Sequence, residues 1–321
     1  MIASRGAAGL RGARKQNKFL FMTETLKETA CAMRPSLRAG ARGAAVFRLQ
    51  GLLWAAGFDP GPFDGVFGRR TGAALEAFLR RHGSRGGEPV EVDEAVWRRL
   101  EDHVPEARVD ATAQVDDELL ARLFPHAARK ALSAHWPPVR RALCAFGLAH
   151  KLMVAMALAT VRAESAGFVP VAERISPFNT SPGGTPFDRY DWRRDLGNRG
   201  PPDGRRYRGR GFVQLTGRAN YARVGRRLGL GERLLRRPEL ALEPGLAAEI
   251  LALFLAERRR GIERALRRGD LRAARRLVNG GLHGFAAFRS TLLLADDALE
   301  DPLLPRGRLG ELARGSGAPS A

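Results

Sequence analysis

Cysteine is nearly absent: the 321 residues contain two, Cys31 and Cys144. Two cysteines cannot build a disulfide scaffold and give no zinc-type spacing, so a reducing compartment is expected. Cys144, within an apolar stretch, is expected to act as a small hydrophobe. The six histidines (His82, His103, His126, His135, His150, His283) stand singly and no His-Glu-x-x-His occurs, so neither a metal nor a cofactor is expected. No apolar run is long enough for a membrane span. The best, residues 143–160, is interrupted by His150 and Lys151 and reads as a buried helix. The first 23 residues lack an acid and carry Arg5, Arg11, Arg14, Lys15 and Lys18. No apolar core of about 7–15 residues follows them, as a secretory signal would require. Residues 1–35 therefore read as a disordered leader, with Met22 a possible alternative start and export the other reading.

What is abundant is positive charge. Lys plus Arg minus Asp plus Glu is 54 − 34 = +20, which suits an anionic partner such as an envelope polymer, an acidic membrane surface or nucleic acid. Arginines with one Tyr and one Phe around residues 206–221 lack the stacking platform or recognition motif of a nucleic-acid binder. Hydrophobic residues at 44% and charged residues at 27% are ordinary for a globular chain, and the length predicts about two domains.

The first unit spans residues 36–101. From Val46, apolar residues recur at Leu49 and Leu53 on one helical face. A glycine-punctuated turn, Phe63-Asp64-Gly65-Val66-Phe67-Gly68, precedes a second helix carrying Ala74, Leu75 and Phe78, with Thr71 its expected N-cap. A third helix carries Val96, Trp97 and Leu100. The succession Leu37, Gly40, Gly43, Val46, Leu49, Gln50, then Asp64, Gly65, Phe67, Gly68, Thr71, and finally Trp97 and Leu100 resembles the peptidoglycan-binding type 1 domain. Leu79 departs from it, since the family usually has Gln there. The resemblance implies a three-helix, wall-anchoring unit, with Asp64, Gly65, Phe67 and Trp97 as wall-binding candidates.

Residues 102–118 are polar and read as a linker. From residue 119 to 300 the pattern is strongly helical and β alternation is scarce, so the whole chain is expected to be mainly α. The stretch 257–276 holds nine arginines and three acids and reads as a solvated helix face, or as a surface that helps hold an acidic envelope polymer. Residues 301–321, rich in Pro, Gly and Arg, read as a flexible tail.

Two glutamates could do chemistry. A helix is expected to end near Ala163 and deliver Glu164, with Gly167 as its stop. A carboxyl at a helix C-terminus among apolar neighbours is disfavoured as an anion, which suits a general acid. Arg162, if turned inward, would oppose that. Glu173 lies nine residues on (173 − 164 = 9), beyond Pro170, on a different element and able to face Glu164 across a cleft. Spacing alone does not distinguish the pair from surface acids. Downstream, the segment 206–221 offers Gly209 and Gly211 for close ligand approach. Gln214, Thr216 and Asn220 supply the neutral donors and acceptors that sugar hydroxyls need, and Tyr207 lies in the same segment.

The array Ala163-Glu164-Ser165, Glu173, Gly209-Arg210-Gly211-Phe212-Val213-Gln214-Leu215-Thr216-Gly217-Arg218-Ala219-Asn220-Tyr221 and Val278-Asn279-Gly280-Gly281 resembles family 19 glycoside hydrolases over about residues 119–297. These include chitinases and lysozyme-like endolysins. The resemblance implies a lysozyme-like α-helical catalytic domain with Glu164 as general acid, Glu173 as general base and Thr216 holding the water. It places Gln214, Asn220 and Asn279 in the substrate cleft, with Tyr207 and Arg289 as further substrate-binding candidates. Two positions depart: Ala163 stands where His is common, and Ala166 where Gly is.

An inverting pair would lie about 6.5–9.5 Å apart to admit water, whereas about 5 Å would suit a retaining route. The function expected is cleavage of β-1,4 glycan in the bacterial wall by a monomeric, endolysin-like enzyme, cytoplasmic until release, without stable membrane insertion. Chitin as substrate, a lytic transglycosylase leaving anhydro ends and a non-catalytic wall-binding protein are the alternatives.

Overall fold

The computed structural model describes residues 31, 33–83, 91–105 and 109–315. Its N-terminal unit is three helices, α1 (Ala44–Ala55), α2 (Arg69–Arg81) and α3 (Glu94–His103). Bridges Leu37↔Val92 and Arg42↔Val66 close the chain around them. Val46, Leu49, Leu53, Leu75, Phe78 and Leu100 make a small core, as the apolar periodicity predicts. Thr71 is not the N-cap of α2. Gly68 holds that position, and Thr71 sits in the first turn, its hydroxyl accepting from Gln50 Nε2 at 3.2 Å. The third helix is capped by Asp93, whose side chain accepts from the Val96 amide.

The second unit is mainly helical, comprising α4 (Asp117–Leu123), α5 (Arg129–Ala145), α6 (Lys151–Glu164), α7 (Arg218–Arg227), α8 (Pro244–Arg267), α9 (Leu271–Asn279), α10 (Phe285–Ala298) and α11 (Arg308–Gly315). Its one sheet among the described residues is a two-residue antiparallel pair, β1 (Val171–Ala172) with β2 (Arg210–Gly211). Every residue of α6 from Lys151 to Val161 is buried, because the helix is apolar around its whole circumference and packs against α10 and α8. No described helix is long and apolar enough to cross a membrane.

The polar residues that interrupt the apolar patterns have partners. Lys151 is fully buried 3.0 Å from Asp296, and its Nζ donates to the carbonyls of Leu304 and Pro305. Asp296 in turn accepts from the Leu309 amide. These contacts order residues 301–315, where a flexible tail was expected; residues 316–321 lie outside the described set. His150 and Arg259 both reach the buried Glu263, at 3.0 and 2.6 Å. The arginine-rich stretch is therefore not simply a solvated face: Arg259, Glu263 and Arg275 are buried within it.

The two units share a boundary rather than a loose linker. Phe47 and Phe63 of the first belong to the core of the second, and Phe47 lies 5.5 Å from Phe146 between ring centres. Within the expected linker, Ala111 and Val115 enter that same core and Asp110 pairs with Arg140 at 3.1 Å. Cys31 and Cys144 form a disulfide across 113 residues, fixing the end of the expected leader to α5. The low cysteine count therefore does not carry the expectation of a reducing compartment. Residues 1–30 lie outside the described set.

Candidate active site

The wall-binding candidates form the fold of their unit rather than an open surface. Trp97 and Phe67 are core residues, and the Trp97 indole donates to the Pro35 carbonyl at 2.8 Å. Gln50 knits the turn: its amide nitrogen donates to Asp64 Oδ1, and its oxygen accepts from the amides of Asp64 and Gly65. Gly65 has φ of 65°, and a methyl there would come within 2.3 Å of the Phe47 ring. Only glycine meets both demands. Of the four candidates, Asp64 alone keeps a partly open side chain.

Glu164 is the last residue of α6. The helix stops without a left-handed Gly167; instead Phe168 adopts φ 55°, its ring fixed against Phe124 and Phe212. The surroundings of Glu164 are not purely apolar. Arg275, fully buried on α9, donates from Nη2 to Glu164 Oε1 at 2.8 Å. The same guanidinium donates from Nε and Nη2 to the His283 carbonyl, while its Nη1 is buried without a partner among the described residues. The cation at the acid is thus Arg275, not the Arg162 that sequence proximity suggested. Ala163 packs against Gly284.

Glu173 extends the β1–β2 ladder, its amide donating to the Gly209 carbonyl at 2.8 Å. Its carboxylate accepts three hydrogen bonds: from the Gly209 amide at 3.0 Å, Asn179 Nδ2 at 3.0 Å and the Tyr190 hydroxyl at 2.7 Å. Asn179 is buried and fully used, donating also to the Arg174 carbonyl and accepting from the Ser176 amide and the Thr180 hydroxyl. Burial first, and then the bond to Glu173, push the Tyr190 phenol up to about 12.

Gly209 is the point on which three predicted residues converge. A methyl there would meet Gln214 Oε1 at 2.6 Å, Glu173 Oε2 at 3.2 Å and Thr216 Oγ1 at 3.2 Å. These three oxygens therefore ring one spot beside the Gly209 backbone, which only an unsubstituted Cα leaves open. Gln214, at φ 50°, donates to the Val171 and Gly211 carbonyls, and the Thr216 hydroxyl donates to the Gln214 carbonyl at 2.8 Å. Phe168, Gln214 and Phe187 are the non-glycine residues with positive φ among the described ones. All three lie in the segments around these glutamates, and such strain concentrates where surrounding structure holds a site in shape.

The other candidates stand apart. Asn220 donates to the Thr216 carbonyl at 2.8 Å and so braces the backbone that carries Thr216. Tyr207 is buried, its hydroxyl accepting from Arg218 at 2.9 Å and donating to the Leu235 carbonyl, and offers no free group to a substrate. Asn279 is exposed at the end of α9, with a long contact of 3.5 Å to the His283 carbonyl, and Arg289 is exposed on α10.

Arg275, Asn179 and Tyr190 were not foreseen. A signal for Arg275 existed: Leu271, Ala274, Arg275 and Val278 share one helical face, all buried, so the arginine lies on the apolar stripe. Asn179 and Tyr190 come from an irregular stretch with no periodicity to read. That stretch also leaves Ile175, Phe178 and Trp192 strongly exposed near Glu173 in sequence. The described residues that could gather on a metal are Cys31, Cys144 and Asp110, and the disulfide occupies both sulfurs.

Among known proteins, residues 42–85 match the family model described as "Putative peptidoglycan binding domain". Among solved structures, the chain is similar to chitinase C from Streptomyces griseus HUT6037, at 20% identity with a TM-score of 0.36, over 57% of this chain and 92% of that one. The N-terminal unit thus carries a peptidoglycan-binding domain on a mainly helical chain.

Proposed function

We propose that the second unit hydrolyses β-1,4 glycan of the bacterial cell wall by an inverting, family 19-like route while the N-terminal unit holds it on its substrate. The observation that carries this reading is the Glu173 carboxylate, held by three donors beside Thr216 and Gln214. All three bonds are donated to the carboxylate, which suits a group that takes a proton from water. The Thr216 hydroxyl spends its own proton on the Gln214 carbonyl, so its lone pairs are left to receive a hydrogen of the same water.

Glu164 is the acid that protonates the leaving oxygen. Arg275 donates to Oε1, and an ion pair of this kind favours the charged product of the proton transfer over the acid that precedes it. Once the proton has gone, the new carboxylate is already paired with a guanidinium that needs no reorganisation, which favours the charge that develops in the transition state. Water attacks from the face opposite the departing oxygen, so the anomeric carbon inverts. The wall rather than chitin is favoured as substrate by the match over residues 42–85.

Digestion of purified sacculi by the wild type, Glu164→Gln and Glu173→Gln, with mass analysis of the products, tests the proposal. The wild type is expected to release reducing ends with one water added per cut, and each variant to lose roughly 10²–10⁴-fold in rate. Undiminished turnover by Glu164→Gln, or anhydro-sugar ends, would overturn it.

A further inference from the structure

A pocket of about 200 Å³ lies where the N-terminal unit meets α7. Arg42 and the Asp64-Gly65-Val66 turn line one side; Arg223, Arg226 and Arg227 line the other. The α7 arginines fall at i, i+3 and i+4, so they share one helical face. Their charges are not balanced. Arg223 donates to both oxygens of Glu257 at 2.6 Å, and Arg227 donates to the Asp64 carbonyl and lies 3.8 Å from the Asp64 carboxylate. Arg42 and Arg226 have no side-chain partner among the described residues, so four cations share two anions.

We infer that this pocket binds a carboxylate of the wall's peptide stems, clamped between the wall-binding unit and the proposed hydrolase unit. Guanidinium groups match a carboxylate in bidentate geometry, and two of the four are free to do so. The volume admits one side-chain-sized acidic group rather than a pair of sugar rings. One wall of the pocket comes from within residues 42–85, the segment that matches a peptidoglycan-binding model, and peptidoglycan stems carry ionised carboxylates at neutral pH. A stem held here restrains both units on one strand. The inference rests on the wall-binding half of the proposed function and not on catalysis.

The test is equilibrium binding of full-length wild type and the double variant Arg42→Ala/Arg226→Ala to three surface-immobilised preparations: intact sacculi, glycan strands stripped of stems by an amidase, and sacculi freed of phosphate polymers by hydrofluoric acid. Both arginines are exposed, so the double variant is expected to melt with the wild type. Wild-type affinity is expected to fall roughly tenfold when stems are removed and to be unchanged when phosphate is removed. The double variant is expected to lose about as much on intact sacculi, and nothing further on stripped ones. Equal binding by variant and wild type, or a loss that follows phosphate instead of stems, overturns the inference and leaves wall binding standing. A wild type that binds no preparation overturns both. Stem-dependent binding without reducing-end release overturns only the hydrolase.

Discussion

Replacing Glu263 by glutamine probes how a buried charge cluster of the second unit is held. Arg259 Nε donates to Glu263 Oε1 at 2.6 Å, His150 Nε2 lies 3.0 Å from the same oxygen, and Arg259 also donates to the Gly147 carbonyl. Burial alone pushes this carboxyl up, but the Arg259 guanidinium and the His150 ring outweigh it and bring it from the ordinary 4.5 down to about 2. That lowering means the folded chain holds the anion better than the unfolded chain does, and so contributes to stability. Because the folded-state value lies below the unfolded one, that stabilisation is complete above the unfolded value and drains away as pH falls toward the folded one. Glutamine removes the anion and leaves the Arg259 guanidinium buried without it, at a cost of about 3–5 kcal/mol near neutral pH. Urea denaturation of both proteins, followed by circular dichroism between about pH 6 and pH 2, measures the difference. The gap between wild type and variant is expected to narrow steadily across that range, by on the order of a few kcal/mol. A gap that stays constant with pH would refute the reasoning.

Three further outcomes follow from named contacts. Tyr190→Phe removes one donor from Glu173 and is expected to lower kcat/KM about 10- to 100-fold with KM little changed, as steady-state kinetics on solubilised glycan would record. With its phenol pushed up to about 12, Tyr190 stays a neutral donor, so the wild-type pH–rate profile is expected to show no fall from this group until the strongly alkaline side. Lys151→Met strands Asp296 in the core and is expected to cost about 3–5 kcal/mol in chemical denaturation, most of it recovered by adding Asp296→Leu. A single variant as stable as the wild type would contradict that.

Apolar spacing was the most legible feature of the chain. Ala74, Leu75 and Phe78 mark the buried face of α2, whereas the single buried helix expected over residues 143–160 is broken by a turn at 146–150, between the end of α5 and the start of the buried α6. Charge was misread where it lay on an apolar stripe. Lys151, Arg259, Glu263 and Arg275 occupy positions that periodicity assigns to the core, and each is buried with an opposite charge contributed by another element or by the next turn. A count of arginines in 257–276 cannot distinguish these from their solvated neighbours; their phase along the helix can. Phe67 and Trp97, residues of the motif in the first unit, are side chains of its small core. At the candidate site, the glycine at 209 and the oxygens of Gln214 and Thr216 come from one readable segment. The grip on Glu173 comes from Asn179 and Tyr190, supplied by irregular backbone whose course depends on tertiary packing.

Single displacement across two carboxylates is the core of the functional account, and the stereochemistry of the first product tests it directly. Proton NMR recorded during early turnover of a β-1,4-linked wall glycan resolves the anomeric configuration at each new reducing end before mutarotation. The account predicts the α form appearing first. The β form appearing first would contradict it.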